Sequence, residues 1–369
     1  MVQLRKRMEA TDLDTLLIHI PENIYYLTGH QTVGYYAYQC LAVPMDGDPV
    51  LSVRGLERDL AMASSWLPDD CIVGYTDVAD PTDSTIGLLR TRGLLEGKVG
   101  IERNAWFLDL NTSDRLASAV SNGLADGTGL VEACRVVKSP AEISSIRRAA
   151  HASDEAMNSA IATIRPGVSE RQVAAAMYSS LIGAGSEYIS LPLFVASGPR
   201  SGLGHATWSD RVIEQDDVVF LETCGAVDRY SAAMIRTVIA GDASDEYLAI
   251  EGALVQALEA AMSMMRAGVP ARDVDAACRA PVVEAGFGQY FTHRAGYSVG
   301  INFPPDWGEG HIASLRSNSE FLLADRMVFH VIPAVIIGGR VGIGISETIL
   351  VTETGGEPLG SIPRQVFVS

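Results

Sequence analysis

Apolar residues along this chain fall into two rhythms that alternate from end to end. Short apolar runs bounded by polar or turn residues read as buried strands: DTLLIHI from residue 14, PVLSVRG from 49 and KVGIERN from 98. Stretches with helical spacing, such as 57–66, separate them. This pattern predicts an α/β domain over residues 1–133. The sequence Ser139-Pro140-Ala141-Glu142 then supplies a Ser N-cap, a Pro at the first helical position and an acid in the first turn. The boundary is placed at 131–138, with a second domain over 134–369.

That second domain is predicted to hold helices at 139–164, 168–184, 244–267 and 270–285. Between and after them lie the strand-like runs LPLFVAS, DVVFLETCGAV, MIRTVIAG, MVFHVIPAVII and TILVTE. Pro166-Gly167-Val168 and Gly268-Val269-Pro270 form similar helix starts in its two halves, a faint internal repeat. The expected fold class is α+β.

Composition narrows the function by exclusion. A chain of 369 residues with 47% hydrophobic and 20% charged residues has ample material for two packed cores. Its formal charge of −17 argues against nucleic acid or anionic membrane, which are bound through Lys and Arg. No apolar run reaches membrane-spanning length, and the basic start MVQLRKRMEATDLDTLLI lacks the apolar core of a signal peptide. Five scattered cysteines (Cys40, Cys71, Cys134, Cys224 and Cys278) fit reduced thiols in the cytoplasm and no zinc cluster.

Five segments carry candidate chemistry. His205 lies in a Gly/Ser-rich loop that begins at Gly198, and is either a site residue or merely exposed. Glu222 interrupts the apolar run VVFLETCG; such a carboxylate must be paired, protonated or functional. Its structural alternative is an ion pair with Arg229 or Arg236. Tyr230 follows Arg229 and either donates into a cleft or serves as a wall. His293 opens the stretch THRAGYSVGINFPPDWG, where Tyr297, Phe303 and Trp307 offer flat walls suited to a delocalised cation, alongside Asp306. His330 precedes Pro333, and Glu347 sits in GISET. Each of the last two alone reads as a satisfied core polar group. Taken together with Glu222, His205 and His293 they form an acid–base set expected to converge on one cavity.

The order of segments from Val218 to Thr354 resembles the catalytic half of the creatinase, prolidase and methionine aminopeptidase superfamily, the pita-bread fold. The "vKSPaEI" junction resembles the passage from its small N-terminal domain. Metallopeptidases of that superfamily hold two metal ions with two Asp, one His and two Glu. By the resemblance the Asp positions fall on Thr223 and Ala233, the Glu positions on Ile332 and Ser346, and His293 alone remains. Hard divalent cations require several anionic oxygens, so the resemblance implies a metal-free branch with no cofactor.

Within that branch the chain is most similar to ectoine hydrolases. The similarity rests on NIYYLTG from Asn23, Tyr38-Gln39-Cys40, HATW from His205, Glu222 before a small-Gly pair, GYSVG from Gly296, PPDWGE from Pro304, Phe329-His330 and ISET from Ile345. Ser231, Ala232 and Ala233 depart from it, where a His and a Pro are expected after Tyr230. The resemblance implies a cytosolic homodimer that opens a cyclic amidine, ectoine or 5-hydroxyectoine, to an N-acetyl-2,4-diaminobutyrate. Glu222 would be nucleophile or general base, and one of His205, His293 and His330 the acid. Glu347 would orient a His or pair with the substrate cation, while Tyr230, Tyr297, Phe303, Asp306 and Trp307 would bind the small zwitterion. The alternatives are creatinase-type cleavage of another amidine or guanidine, and a non-catalytic binding module.

Overall fold

The first apolar run becomes the middle of a six-stranded sheet. In the computed structural model, which describes all 369 residues, the chain divides into two units, Met1–Arg135 and Val136–Ser369. The first contains α1 (Val2–Ala10), β1 (Thr15–Ile18), α2 (Pro21–Thr28), β2 (Cys40–Pro44), β3 (Val50–Arg54) and α3 (Arg58–Ser64). It continues with β4 (Ile72–Tyr75), α4 (Pro81–Thr91), β5 (Val99–Ile101), α5 (Leu110–Ala119), β6 (Leu124–Asp126) and α6 (Glu132–Arg135). The sheet order is β4-β3-β2-β1-β5-β6. Successive side chains of a strand point to opposite faces. Leu16 and Ile18 therefore join a core with Leu4, Met8 and Ile24, while Leu17 joins another with Ile86, Leu89 and Leu116. A strand buried on both faces needs an unbroken apolar run, and TLLI provides it.

The second unit, Val136–Ser369, is larger and alternates helices with strands. It holds α7 (Pro140–Thr163), α8 (Glu170–Gly183), β7 (Phe194–Ser197), β8 (Asp217–Val227), β9 (Tyr230–Ala240), α9 (Asp245–Met264) and α10 (Ala271–Glu284). Then follow β10 (Gly296–Ser298), β11 (Ser314–Leu315), β12 (Val328–Val331), β13 (Ala334–Ile337), β14 (Val341–Gly344), β15 (Glu347–Val351), β16 (Gly356–Pro358) and β17 (Val366–Val368). The strands form a β17-β9-β8-β7 sheet, a β11-β10-β12-β15-β16 sheet and a β13-β14 hairpin. The run MVFHVIPAVII, expected as one strand, is divided at Pro333 into β12 and β13, which lie in different sheets. Proline has no N–H to give a ladder, so the strand ends before it.

Helix α7 starts at a capping box in which the Ser139 hydroxyl accepts from the Glu142 N–H and the Ser139 N–H donates to the Glu142 carboxylate. With α8 it covers one face of β8 and β9 through Ala156, Met177, Leu221 and Met234. Gly225 permits the approach: a Cβ there would lie 2.2 Å from the Ala149 carbonyl oxygen. Helices α9 and α10 cover the second sheet in the same way through Leu254, Val274, Phe329 and Ile349.

The two helix starts repeat in detail. Gly167 N–H donates to Ile213 O (2.9 Å) and Ile213 N–H to Val168 O (2.8 Å); Gly268 N–H donates to Leu323 O (2.8 Å) and Leu323 N–H to Val269 O (2.9 Å). Both glycines have positive φ, +92° and +84°, which side-chain-bearing residues disfavour.

Candidate active site

On β8 the side chains of Leu221 and Thr223 and the bare face of Gly225 are turned toward α7 and α8, so the side chains of Phe220, Glu222 and Cys224 point the other way. This alternation revises the expectation for the first Asp position. Thr223 faces the helices, where its buried hydroxyl has no hydrogen-bond partner, and Glu222 faces inward. Glu222 pairs in register with Phe194 on β7 and Ile235 on β9.

Glu222 is 8% exposed and has no cationic partner. Arg229 lies under Tyr188, its guanidinium donates to the Asn302 carbonyl, and its nearest carboxylate is Glu187 at 3.5 Å. Arg236 is paired with Glu347. The structural reading of Glu222 as half of an ion pair is therefore excluded. Burial pushes its carboxyl up to about 8, and the negative charge of Asp306 adds to the shift. Asp306 itself is exposed and accepts from the Gly308 N–H at 3.0 Å.

Opposite Glu222 stands a chain of polar contacts. Trp307 Nε1 donates to the Tyr297 hydroxyl at 3.0 Å, and that hydroxyl lies 2.9 Å from His330 Nδ1. His330 Nε2 lies 2.6 Å from Ser346 Oγ, which accepts the Ile235 N–H, also at 2.6 Å. Tyr297 and His330 are register partners across β10 and β12. Burial drives the His330 imidazole down to about 3, with Arg236 and Arg294 acting in the same direction, so it is neutral. Burial together with the Glu222 charge raises the Tyr297 phenol well above its ordinary value. Phe194 continues the line, with its ring 5.5 Å from Trp307 and 5.4 Å from the exposed His205.

The expected convergence of three histidines and two glutamates is only partial. Glu222 and His330 face one polar cluster, and His205 joins it through Phe194. His293 lies in the loop before β10, its ring 4.8 Å from Phe291 and its Nδ1 2.9 Å from the Arg294 carbonyl. Tyr297 is the residue that meets His330 from that side. Glu347 opens β15 and binds Arg236 at 2.5 Å, whereas the Ser346 hydroxyl just before it meets His330.

Of the expected binding residues, Tyr230 is turned to helix α7, and Phe303 rests beside Arg229. Tyr230 donates to Glu142 Oε1 at 2.9 Å, and the Phe303 ring lies 5.0 Å from the Arg229 guanidinium. Phe194 is not among the residues expected at the site; Ser346 is expected only as a lost metal-ligand position, and Cys224 only as one of the scattered thiols. Period-2 alternation from Glu222 points to Cys224; nothing local marks Phe194.

The donor set does not fit a metal ion, since nowhere do three His, Cys, Asp or Glu side chains gather as ligands. A cavity of about 600 Å³ beside α8, lined by Tyr178, Tyr188, Pro192 and Trp208, includes none of the acid–base residues. No helix is long and apolar enough to cross a membrane.

Comparison with known proteins gives the same architecture. Residues 144–353 match metallopeptidase family M24, and residues 1–137 match the creatinase/prolidase N-terminal domain. The chain is 30% identical to ectoine hydrolase of Halomonas elongata, over 99% of this chain and 95% of that protein. It is 27% identical to the Xaa-Pro dipeptidase of Pyrococcus furiosus, over 99% and 98%. The solved prolidase from Pyrococcus furiosus superposes with a TM-score of 0.83 at 26% identity, over 97% of this chain and 99% of that one.

Proposed function

Because the chain belongs to metallopeptidase family M24, a family of hydrolases, we propose that it hydrolyses a small cationic amidine without a metal ion. Ectoine or 5-hydroxyectoine is the substrate favoured, and an N-acetyl-2,4-diaminobutyrate the product. The observation that carries this reading is the uncompensated pair of Glu222 and Asp306. A buried carboxylate with no cation of its own costs several kcal/mol. An amidinium in the cleft supplies the missing charge and returns Glu222 to its ionised form. The similarity to an ectoine hydrolase supports the same substrate.

The amidinium carbon is electrophilic without a Lewis acid. Glu222 either attacks it or takes a proton from the water that does, and the C–N bond to one ring nitrogen then breaks. Trp307 and Phe194 flank the ring, and Asp306 at the mouth faces the cation. The homodimer and the cytoplasmic location belong to the same proposal.

Proton NMR of ectoine with chelator-treated protein tests it. An N-acetyl-diaminobutyrate signal is expected in wild type and lost in Glu222→Gln. Unchanged ectoine with folded protein removes that substrate. Turnover that appears only on adding a divalent metal removes the metal-free mechanism. Retained ligand binding with no turnover of any amidine leaves the binding-module alternative.

A further inference from the structure

We propose that Tyr297 is the general acid of this reaction and that His330 positions it; this rests on the hydrolytic reading above. An indole N–H only donates, so the Tyr297 oxygen accepts from Trp307 Nε1. At the far end the Ile235 N–H occupies a lone pair of Ser346 Oγ. His330, neutral and fully buried between them, carries one ring proton. With that proton on Nδ1, it is donated to the Tyr297 oxygen, while the Ser346 hydroxyl donates to Nε2. The phenolic hydrogen is then held by neither partner and can turn toward Glu222, whose charge acts on this phenol. Two N–H donors meet the oxygen as it becomes phenolate, which is the preorganised stabilisation an acid requires.

None of the three candidate histidines matches this placement. His330 stands behind Tyr297 and has no spare proton. His293 rests on Phe291 and its own loop, and His205 is held at the far side of Phe194.

The proton count closes. As the water oxygen bonds to the amidinium carbon, Glu222 takes one water proton. As the C–N bond breaks, its electron pair takes the Tyr297 phenolic proton. Glu222 passes its proton to the phenolate and then takes the hydroxyl proton of the intermediate as the carbonyl forms. It releases that proton to the free amine, so the leaving nitrogen gains one proton from Tyr297 and one from water, the other water proton replaces the one Tyr297 gave, and every side chain is restored.

The test uses ectoine together with acyclic N-substituted acetamidines whose leaving amines range from alkylamine to 4-nitroaniline. With wild type, kcat should change little with leaving-group basicity, because the acid compensates for a poor leaving group. Tyr297→Phe should lower kcat on ectoine by on the order of 100-fold or more. KM should stay within about threefold, and the acetamidine that releases 4-nitroaniline should turn over at nearly the wild-type rate. A merely structural role would slow every substrate alike.

A smaller drop on ectoine, or parallel leaving-group slopes in the two proteins, overturns the assignment. If Tyr297→Phe does not fold, the wild-type series decides: a steep fall in kcat with leaving-group basicity overturns it. Wild type that hydrolyses neither ectoine nor any acetamidine defeats the hydrolytic reading itself, seen before any variant is compared, and the acid falls with it.

Discussion

Arg236 and Glu347 form a fully buried ion pair, 2.5 Å between Nη2 and Oε1. The guanidinium that could have neutralised Glu222 is thereby committed to the opposite face of β9. Arg236 also donates to the carbonyls of Ser346, Ile362 and Pro363, so it knits together three segments. Removing it with Arg236→Met leaves Glu347 buried and uncompensated. We expect a loss of about 3–5 kcal/mol in denaturant unfolding, with Glu347→Gln affected less. A loss below about 1 kcal/mol in Arg236→Met, the size expected of an exposed pair, would show that the charge left behind is not the cause.

The Glu222 carboxyl, held up to about 8 mainly by burial, sets the pH dependence of the free protein. Its ionised form is the reactive one, so kcat/KM on ectoine should rise with pH and level off above about 8. An acid limb centred near the ordinary carboxylate value of 4.5 would contradict this.

The same group should weaken the fold as pH rises. Its folded value lies above its unfolded value of 4.5, so the folded state binds the extra proton. Stability attributable to that proton is present below 4.5 and is lost as pH climbs toward about 8. Glu222→Gln removes the effect. The variant and the wild type should melt together near pH 4, with the variant several degrees higher at pH 8–9, a gain of a few kcal/mol at most (~1.4 kcal/mol per unit). A constant difference across that range would count against the assignment.

Asp306→Asn deletes the one negative charge that adds to the Glu222 shift. The acid limb of kcat/KM should move to lower pH, yet stay above the ordinary carboxylate range because burial is the larger cause. KM for a cationic amidine should rise, while that for a neutral analogue should not. An unchanged limb would mean that Asp306 does not act on Glu222 in solution.

Much of the framework was legible in the chain. DVVFLETCGAV coincides with β8, the four long helices lie within a few residues of their expected places, and the Ser139 cap forms as its residue pattern implies. What escaped was direction and partnership. A one-residue difference along β8 decides whether Thr223 or Glu222 faces the polar cluster, and a side-chain period of two makes that decision absolute. Tyr297 and His330 are 33 residues apart and meet only because β10 and β12 pair. His293 and Glu347 have suitable chemistry at suitable spacing, but one lies in a loop on Phe291 and the other is bound to Arg236. No local pattern carries that information.

The matched helix starts at Gly167 and Gly268 describe two similar halves whose polar groups are not similar at all. Phe194, His205, Glu222 and Cys224 come from the first half, and Tyr297, Asp306, Trp307, His330 and Ser346 from the second. The scaffold is thus symmetric in its architecture and asymmetric in its chemistry, with the buried carboxylate Glu222 on one side and the buried Tyr297, His330 and Ser346 on the other. The buried carboxylate Glu222 comes from one half and the Tyr297–His330 pair from the other, so the proposed reactivity belongs to the seam between them.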